Sequence, residues 1–309
     1  MLDVKQKGSD ARDMNKLPLA KRTQILTMLC EGSSMRSISR VTDVSINTVS
    51  KLLVDAGTAC AAFHDANVRG VTAKRVQCDE IWSFTYAKAK NVPNAKAAPD
   101  SAGDTWTWTA WDAGSKLLVS WHVDGRDAWA ANLITRDVAE RLTNRVQLTT
   151  DGNKTYLDAV ERAFGDDIDY AMLVKHYGPA PEGPQRCYSP ADCTGATKET
   201  ITGAPAAQHI NTSYVERANL TMRMQMRRFT RLTNAFSKKF ENHAHMVALY
   251  AVWYNFVKMH KTIRMTPAMA AKVTDRLWSM EDLAAMVDAA APAPGPRGPY
   301  RKIASPISN

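Results

Sequence analysis

Apolar residues at helical spacing from Leu17 to Glu31 predict an amphipathic helix with Ile25, Leu26 and Leu29 turned inward, and Gly32 as its stop. The next stretch, MRSISRVTDVSINTVSKLLVDAG, reads as short helix, tight turn and longer helix. Ile38, Val41, Val44, Val49, Leu52 and Leu53 would form its core, with Ser45 as N-cap of the last helix. Gly57 to Lys74 reads as a connector with one short helix over 58–66. The period then shortens. RVQCDEIWSFTYA, DTWTWTAWDA and KLLVSWHVDG are rich in valine, threonine and tryptophan and predict strands, the second alternating threonine and tryptophan from Thr105 to Thr109. A polar basic loop separates the first two, and DAGSK at 112–116 is a hairpin turn. A helix from Asp127 to about Leu142, the strand RVQLTTD, the helix KTYLDAVERAF and the strand DYAMLVKHYG follow. Residues 178–212 show no periodicity and read as an inserted loop. From residue 213 helical spacing returns, with Val215, Ala218, Met222, Met226 and Phe229 on one stripe. A second long helix is expected over 237–260, then shorter ones beginning at TPAMAAK and LWSMEDLAAMV.

Three antiparallel strands, a helix, a strand, a helix and a further strand are the order of an RNase H-like mixed sheet flanked by helices. The fold class is thus α/β, preceded by an all-α helix-turn-helix module. Five segments follow: a DNA-binding module at 1–57, a linker at 58–74, a catalytic domain at 75–245 with 178–212 inserted, C-terminal helices at 246–288, and a disordered, proline-rich basic tail at 289–309. No internal repeat is present.

Composition narrows the class. Hydrophobic residues make up 45% and charged residues 23% of 309, enough for a real core. The longest apolar run, MVALYAVWY, is about half of a membrane span. The polar start lacks the apolar middle of a secretory signal, so the expected location is the cytoplasm, in association with the nucleoid. Forty basic residues against 31 acidic give +9, a balance that suits a polyanionic partner. Between 216 and 240 there are five arginines and two lysines, and Glu216 is the sole acid. The five cysteines form no CxxC pair, and Cys187 and Cys193 with His176 and His209 lack the spacing of a zinc site.

Three acids stand out. Glu216, Asn219, Arg223 and Arg227 share a helix face, placing one carboxylate at the head of a basic row. Asp79 lies inside the first strand and Asp151 ends the fourth, just before Gly152. Phosphodiester cleavage and strand transfer need an activated nucleophile and a stabilised leaving oxygen, which two Mg2+ ions supply together. Such ions take oxygen ligands, so a few carboxylates suffice, and Mn2+ is able to substitute. Asp79 would bridge both ions, with Asp151 and Glu216 completing one each. Glu80 is expected to point to the opposite face of the sheet from Asp79. Asp104 is set aside as a neighbouring acid, and Asp112 and Asp124 are assigned to turns. Arg223, Arg227 and Arg228 would lie along the scissile strand as phosphate contacts. In the N-terminal module Asn47, Thr48, Ser50 and Lys51 form the face that would read double-stranded DNA. The tryptophans at 82, 106, 108, 111, 121 and 129 are assigned to the core, and His209, His243 and His245 to structure.

The blocks DEIWSF, TTDG and YVERANLTMRMQMRRFTRLTNAFSKKFENH resemble the catalytic blocks of insertion-sequence-1 family transposases. They fall within residues 76–245, and the last is the most specific. The resemblance implies an RNase H-like domain with an Asp-Asp-Glu triad at Asp79, Asp151 and Glu216 as metal ligands. It also implies that Asn219 and Arg223 face DNA or the site. The implied chemistry is hydrolysis at transposon ends, then attack of the freed 3′-hydroxyl on target DNA, by a homodimer or higher multimer holding both ends. Members of that family often carry an N-terminal zinc finger, whereas this chain has a helix-turn-helix pattern there. Two other readings use the same residues: a DNA-binding regulator without chemistry, and a nuclease that cuts without joining.

Overall fold

The computed structural model describes residues 16–179, 191–230 and 234–291. The polar start and almost all of the expected tail, with residues 180–190 of the expected loop, lie outside the described residues.

Three helices open the described chain: α1 (Leu19–Cys30), α2 (Met35–Thr42) and α3 (Ile46–Asn67). Gly32, at φ +78, ends α1 in the left-handed conformation that glycine adopts without cost. Ser34 and Ser45 cap α2 and α3 by accepting backbone N–H groups from Ser37 and Asn47. Asp43 makes the turn between them at φ 51, a left-handed conformation that aspartate tolerates better than most residues. Ile38, Val44, Val49, Leu52 and Leu53 are buried, but Val41 is 61% exposed and leaves the expected core.

The helix expected to stop near Gly57 does not stop. α3 runs unbroken for 22 residues, and Gly57 is buried against α7 (Phe240–Val252). A Cβ at residue 57 would lie 2.6 Å from both the Cα and the backbone oxygen of His245, so the missing side chain is what lets the two helices meet. The second half of α3 is then tied down. His64 Nε2 bonds the Leu118 carbonyl at 3.2 Å. The buried Arg141 donates to the Val68 carbonyl (2.8 Å) and pairs with Asp65 (2.8 Å) and Asp137 (2.6 Å). Residues expected to form a linker are therefore part of the packed body.

Six strands form one mixed sheet in the order β3-β2-β1-β4-β5-β6. β1 (Arg75–Thr85), β2 (Gly103–Asp112) and β3 (Leu118–Asp124) make the antiparallel meander. β4 (Gln147–Asp151) and β5 (Asp169–Tyr177) add in parallel, through α4 (Ala128–Arg141) and α5 (Thr155–Phe164). This mixed sheet flanked by helices is consistent with an RNase H-like fold. β6 (Cys193–Thr202) is an addition, lying antiparallel to β5 inside the segment expected as loop. Nearly all of β6 is exposed, so neither face imposed a hydrophobic alternation on its sequence.

α4 and α5 cover one face of the sheet; α6 (Ser213–Gln225) and α7 cover the other. α7 passes at Trp253 into a π-helical turn ending at Val257, within the span expected as one long helix. Short α8 (Pro267–Ala270) and α9 (Met280–Ala290) follow, the latter started by a capping box between Ser279 and Asp282. Asp288 of α9 pairs with Arg22 of α1, and with Lys16 at 2.8 Å. No helix of the described residues is long and apolar enough to cross a membrane.

His64 and His243 are buried without a carboxylate partner, and burial holds them at about 4 and about 3. Their folded values lie below the unfolded value near 6.5, so the unfolded chain binds protons that the fold refuses. The contribution of the two histidines is complete above pH 6.5 and is lost as the pH drops toward 4, opposite in sign to that of buried acids with raised values such as Asp79. His64 alone accounts for on the order of 3 kcal/mol of that loss. Urea midpoints of native and His64→Gln proteins taken across pH 4–7 should differ progressively toward acid, the variant losing less than the native chain by the His64 share.

Candidate metal centre

β1 and β4 are paired in register only from Arg75–Gln147 to Gln77–Thr149. Two places further along, Asp79 and Asp151 come level just where β4 ends and β1 continues alone with β2. The sheet is open on that side of β1, so side chains from its two faces can converge around the end of the shorter strand. Glu80 does so. One carboxylate oxygen each from Asp79, Glu80 and Asp151 lie within 4.8 Å of one another. Asp79 and Glu80 leave opposite faces of β1 as expected, Asp79 toward Asn219 and Glu80 toward Arg126 and Asn153. Past the end of β4 their carboxylates nonetheless reach Asp151 together, so Glu80, set aside on the sequence alone, joins the cluster.

Asp79 is set by the helix above it. Gln77 Oε1 accepts the Val215 backbone N–H (3.0 Å), pinning the first turn of α6 to β1. One turn later Asn219 Nδ2 donates to Asp79 Oδ2 at 2.9 Å, while Asn219 Oδ1 accepts from Thr109 Oγ1 at 3.0 Å. Asn219 is 1% exposed, so it orients a carboxylate and cannot reach DNA directly. Glu80 accepts from Arg126 Nε (3.0 Å) and Asn153 Nδ2 (3.3 Å). Arg126 also lies 3.7 Å from Asp151. Asp151 Oδ1 takes the backbone N–H of Asn153 at 3.0 Å, the tight turn that Gly152 begins.

Burial raises the pKa of all three acids. Asp79 is pushed up to about 7 by burial and then by the charges of Asp151 and Glu80. Glu80 is raised by burial and by Asp151, against the pull of Arg126. Asp151 is raised by burial, with the Glu216 charge adding to it and Arg126 and Lys175 opposing. Three acids that disfavour one another's charge, with oxygen donors only, fit a hard divalent cation such as Mg2+ or Mn2+. The set lacks the sulfur and imidazole that favour zinc.

Glu216 sits near enough to influence Asp151 but is held elsewhere. Its Oε1 is 2.5 Å from Lys175 Nζ of β5 and accepts from the Thr212 hydroxyl. The third carboxylate of the cluster is Glu80. The basic row after Glu216 is also broken, because α6 ends at Gln225 and Met226 is extended. Arg223 is half-buried on the last turn of α6, and Arg227 is exposed on a short 3-10 turn. Arg228 is turned inward, donating to Ser237 Oγ (2.7 Å) and Met35 Sδ (3.4 Å), so it takes a packing role away from any phosphate. The apolar stripe from Val215 to Phe229 is buried in full, even though its last two members leave the helix.

On α3, Asn47 and Thr48 are exposed and Ser50 is half-buried. Lys51 is exposed and pairs with Asp55 at 2.6 Å. Thr48 and Lys51 line a cleft whose far wall is α9.

No protein-family model matches this chain, and no curated protein matches it. Among solved structures it is similar to a piggyBac transposase synaptic complex with hairpin DNA, at 10% identity and a TM-score of 0.34. That alignment covers 87% of this chain and 69% of the other. A pre-cleavage Mos1 transpososome aligns over 81% of each chain, at 11% identity and a TM-score of 0.24. Likeness at that level assigns no family, and the chemistry rests on the residues.

Proposed function

We propose that the chain is a transposase of the Asp-Asp-Glu kind, cutting DNA at transposon ends and joining the freed 3′-hydroxyl to target DNA. The observation that carries this reading is the convergence of Asp79, Glu80 and Asp151 at the open end of β4, beside α6 with its Arg217 and Arg223. Those three side chains would hold the metal, with Glu216 joining them once Lys175 releases it. Metal held by these residues would supply activation of an oxygen nucleophile and charge neutralisation for the leaving oxygen. Asn219 keeps Asp79 in one rotamer while this happens. Arg223 and Arg227 hold the phosphate chain without reading its sequence. Asn47, Thr48, Ser50 and Lys51 at the start of α3 read the terminal repeats, and a dimer or larger multimer holds two ends together. Burial-raised acids leave a site that is reluctant to stay empty and charged, which suits tight capture of a cation.

The decisive experiment incubates the purified protein with Mg2+ and DNA carrying the sequences that flank its own coding region. Nicking, followed by covalent joining to a second DNA, is the expected result. Nicking without joining would reassign the chain to the nucleases, and binding alone to the regulators. Glu216→Gln should keep end binding and lower both steps on the order of a thousandfold. Retained joining in that variant would restrict the metal set to Asp79, Glu80 and Asp151.

A further inference from the structure

Among the described residues two cations form ion pairs with the acids at the end of β4, and they are held in different ways. Arg126 donates to Glu80, whose side chain is 1% exposed, and its guanidinium lies 4.9 Å from the Trp106 ring. Removing it would strand a buried carboxylate without a cation, so Arg126 is a fixed part of the site. Lys175 is held more loosely. Gln77 lies level with Thr149, and Asp151 with Leu173. Asp79 and Lys175 each stand two places further on, so Asp79, Asp151 and Lys175 share one face of the sheet. That is the face α6 covers, and there Lys175 Nζ meets Glu216 Oε1 at 2.5 Å. The two side chains are 28% and 42% exposed, and ion pairs open to water contribute little to a fold. Burial raises the Asp151 carboxyl, and Arg126 and Lys175 both oppose that rise, so the Lys175 charge is felt at the cluster as well.

We propose that Lys175 is an exchangeable counter-ion: it holds on Glu216 the place of a divalent cation, and a second ion enters the site only in exchange for it. An ammonium offers Glu216 a single charge on a flexible stem, whereas a divalent cation brings twice the charge and binds several oxygens at once. Lys175 is therefore the weaker claimant, yet while it is in place it lowers the affinity of the Glu216 position by competition and by repulsion. In that state the chain offers Asp79, Glu80 and Asp151 to a first ion and withholds Glu216. Arg126 does not take part in the exchange, because Glu80 has no water to replace it. This inference rests on the proposed metal-dependent cutting of DNA and adds the order in which the site fills, with Lys175 as the residue that sets it.

The test titrates the full chain with Mn2+ and counts the free ion by electron paramagnetic resonance. The native protein should show a tight step and a weaker one, the weaker being absent from Glu216→Gln. Lys175→Met should tighten the weaker step by roughly tenfold and leave the tight one unchanged. Combined with Glu216→Gln, the same substitution should give no gain, since the two residues act as a unit. Circular dichroism checks the fold of each variant. A Glu216-dependent step that Lys175→Met weakens, leaves unchanged or fails to reveal would overturn the exchange and leave the tight metal site standing. So would an equal gain in the Glu216→Gln background, which would make Lys175 a distant charge only. A native chain that takes up no Mn2+ would overturn the metal site itself, and the exchange with it.

Discussion

Asparagine in place of Asp79 should make the metal-free protein melt at a higher temperature at pH 8, while removing the gain that Mg2+ gives the native chain. The Asp79 carboxyl, raised to about 7 by burial and then by Asp151 and Glu80, is charged at pH 8 only at a cost to the fold. Its folded value lies above the unfolded one near 3.9, so its contribution is intact below pH 3.9 and is lost as the pH climbs through 7. The full penalty is on the order of 4 kcal/mol, and asparagine recovers part of it by keeping a bond to Asn219 without the charge. A rise of several degrees follows. A cation bound only by the folded native chain stabilises it by mass action, and Asp79→Asn removes that route. Nicking should fall on the order of a thousandfold in the same variant. Differential scanning fluorimetry with and without Mg2+ reads the first two effects. A variant that melts lower than the native chain, yet still gains from Mg2+, would mean the carboxylates do not share an ion.

Alanine at Gly57 is the second large effect, and its sign runs against the usual rule. Within a helix, Gly→Ala normally gains about 1 kcal/mol. Here the new methyl would sit 2.6 Å from the Cα and backbone oxygen of His245, atoms that cannot rotate aside. α3 and α7 must part, at the upper end of the roughly 1–3 kcal/mol that overpacking costs. The net loss should be about 2 kcal/mol in urea unfolding. Since α7 also carries His243 and the aromatic residues behind the sheet, hydrogen exchange should quicken in both helices. A Gly57→Ala protein more stable than the native one would contradict the close crossing.

Much of this was legible beforehand, and the exceptions share causes. Period-two runs located β1, β2 and β3, and parallel pairing brings Asp79 level with Asp151 by arithmetic alone. Glu80 was missed because it leaves the face opposite Asp79, and a local pattern does not show that β4 ends at Asp151, where carboxylates from both faces can meet. Gly57 looked like a helix end because a glycine in a helix and a glycine after one carry the same local signal; only the partner helix distinguishes them. β6 escaped because CTGATKETIT is solvated on both faces and pairs through its backbone. The tryptophans assigned to the core mostly lie there, Trp108 and Trp111 buried and Trp106 and Trp121 partly buried against it, whereas Trp129 is 67% exposed where α4 begins. Arg227 illustrates the converse: helical spacing placed it in a row with Glu216 and Arg223, and the chain left the helix at Met226 before reaching it.

The continuity of α3 has a mechanical consequence. Its 22 residues make a rod about 33 Å long, with Asn47 and Thr48 near one tip and His64, gripped by the sheet, near the other. If the free tip grips DNA, there is no hinge along the rod to absorb a change in spacing. About one turn of B-form duplex has the same length. Inserting or deleting a few base pairs between the gripped sequence and the break point should therefore move the break by an equal count, keeping its distance from the grip, instead of letting it follow the sequence.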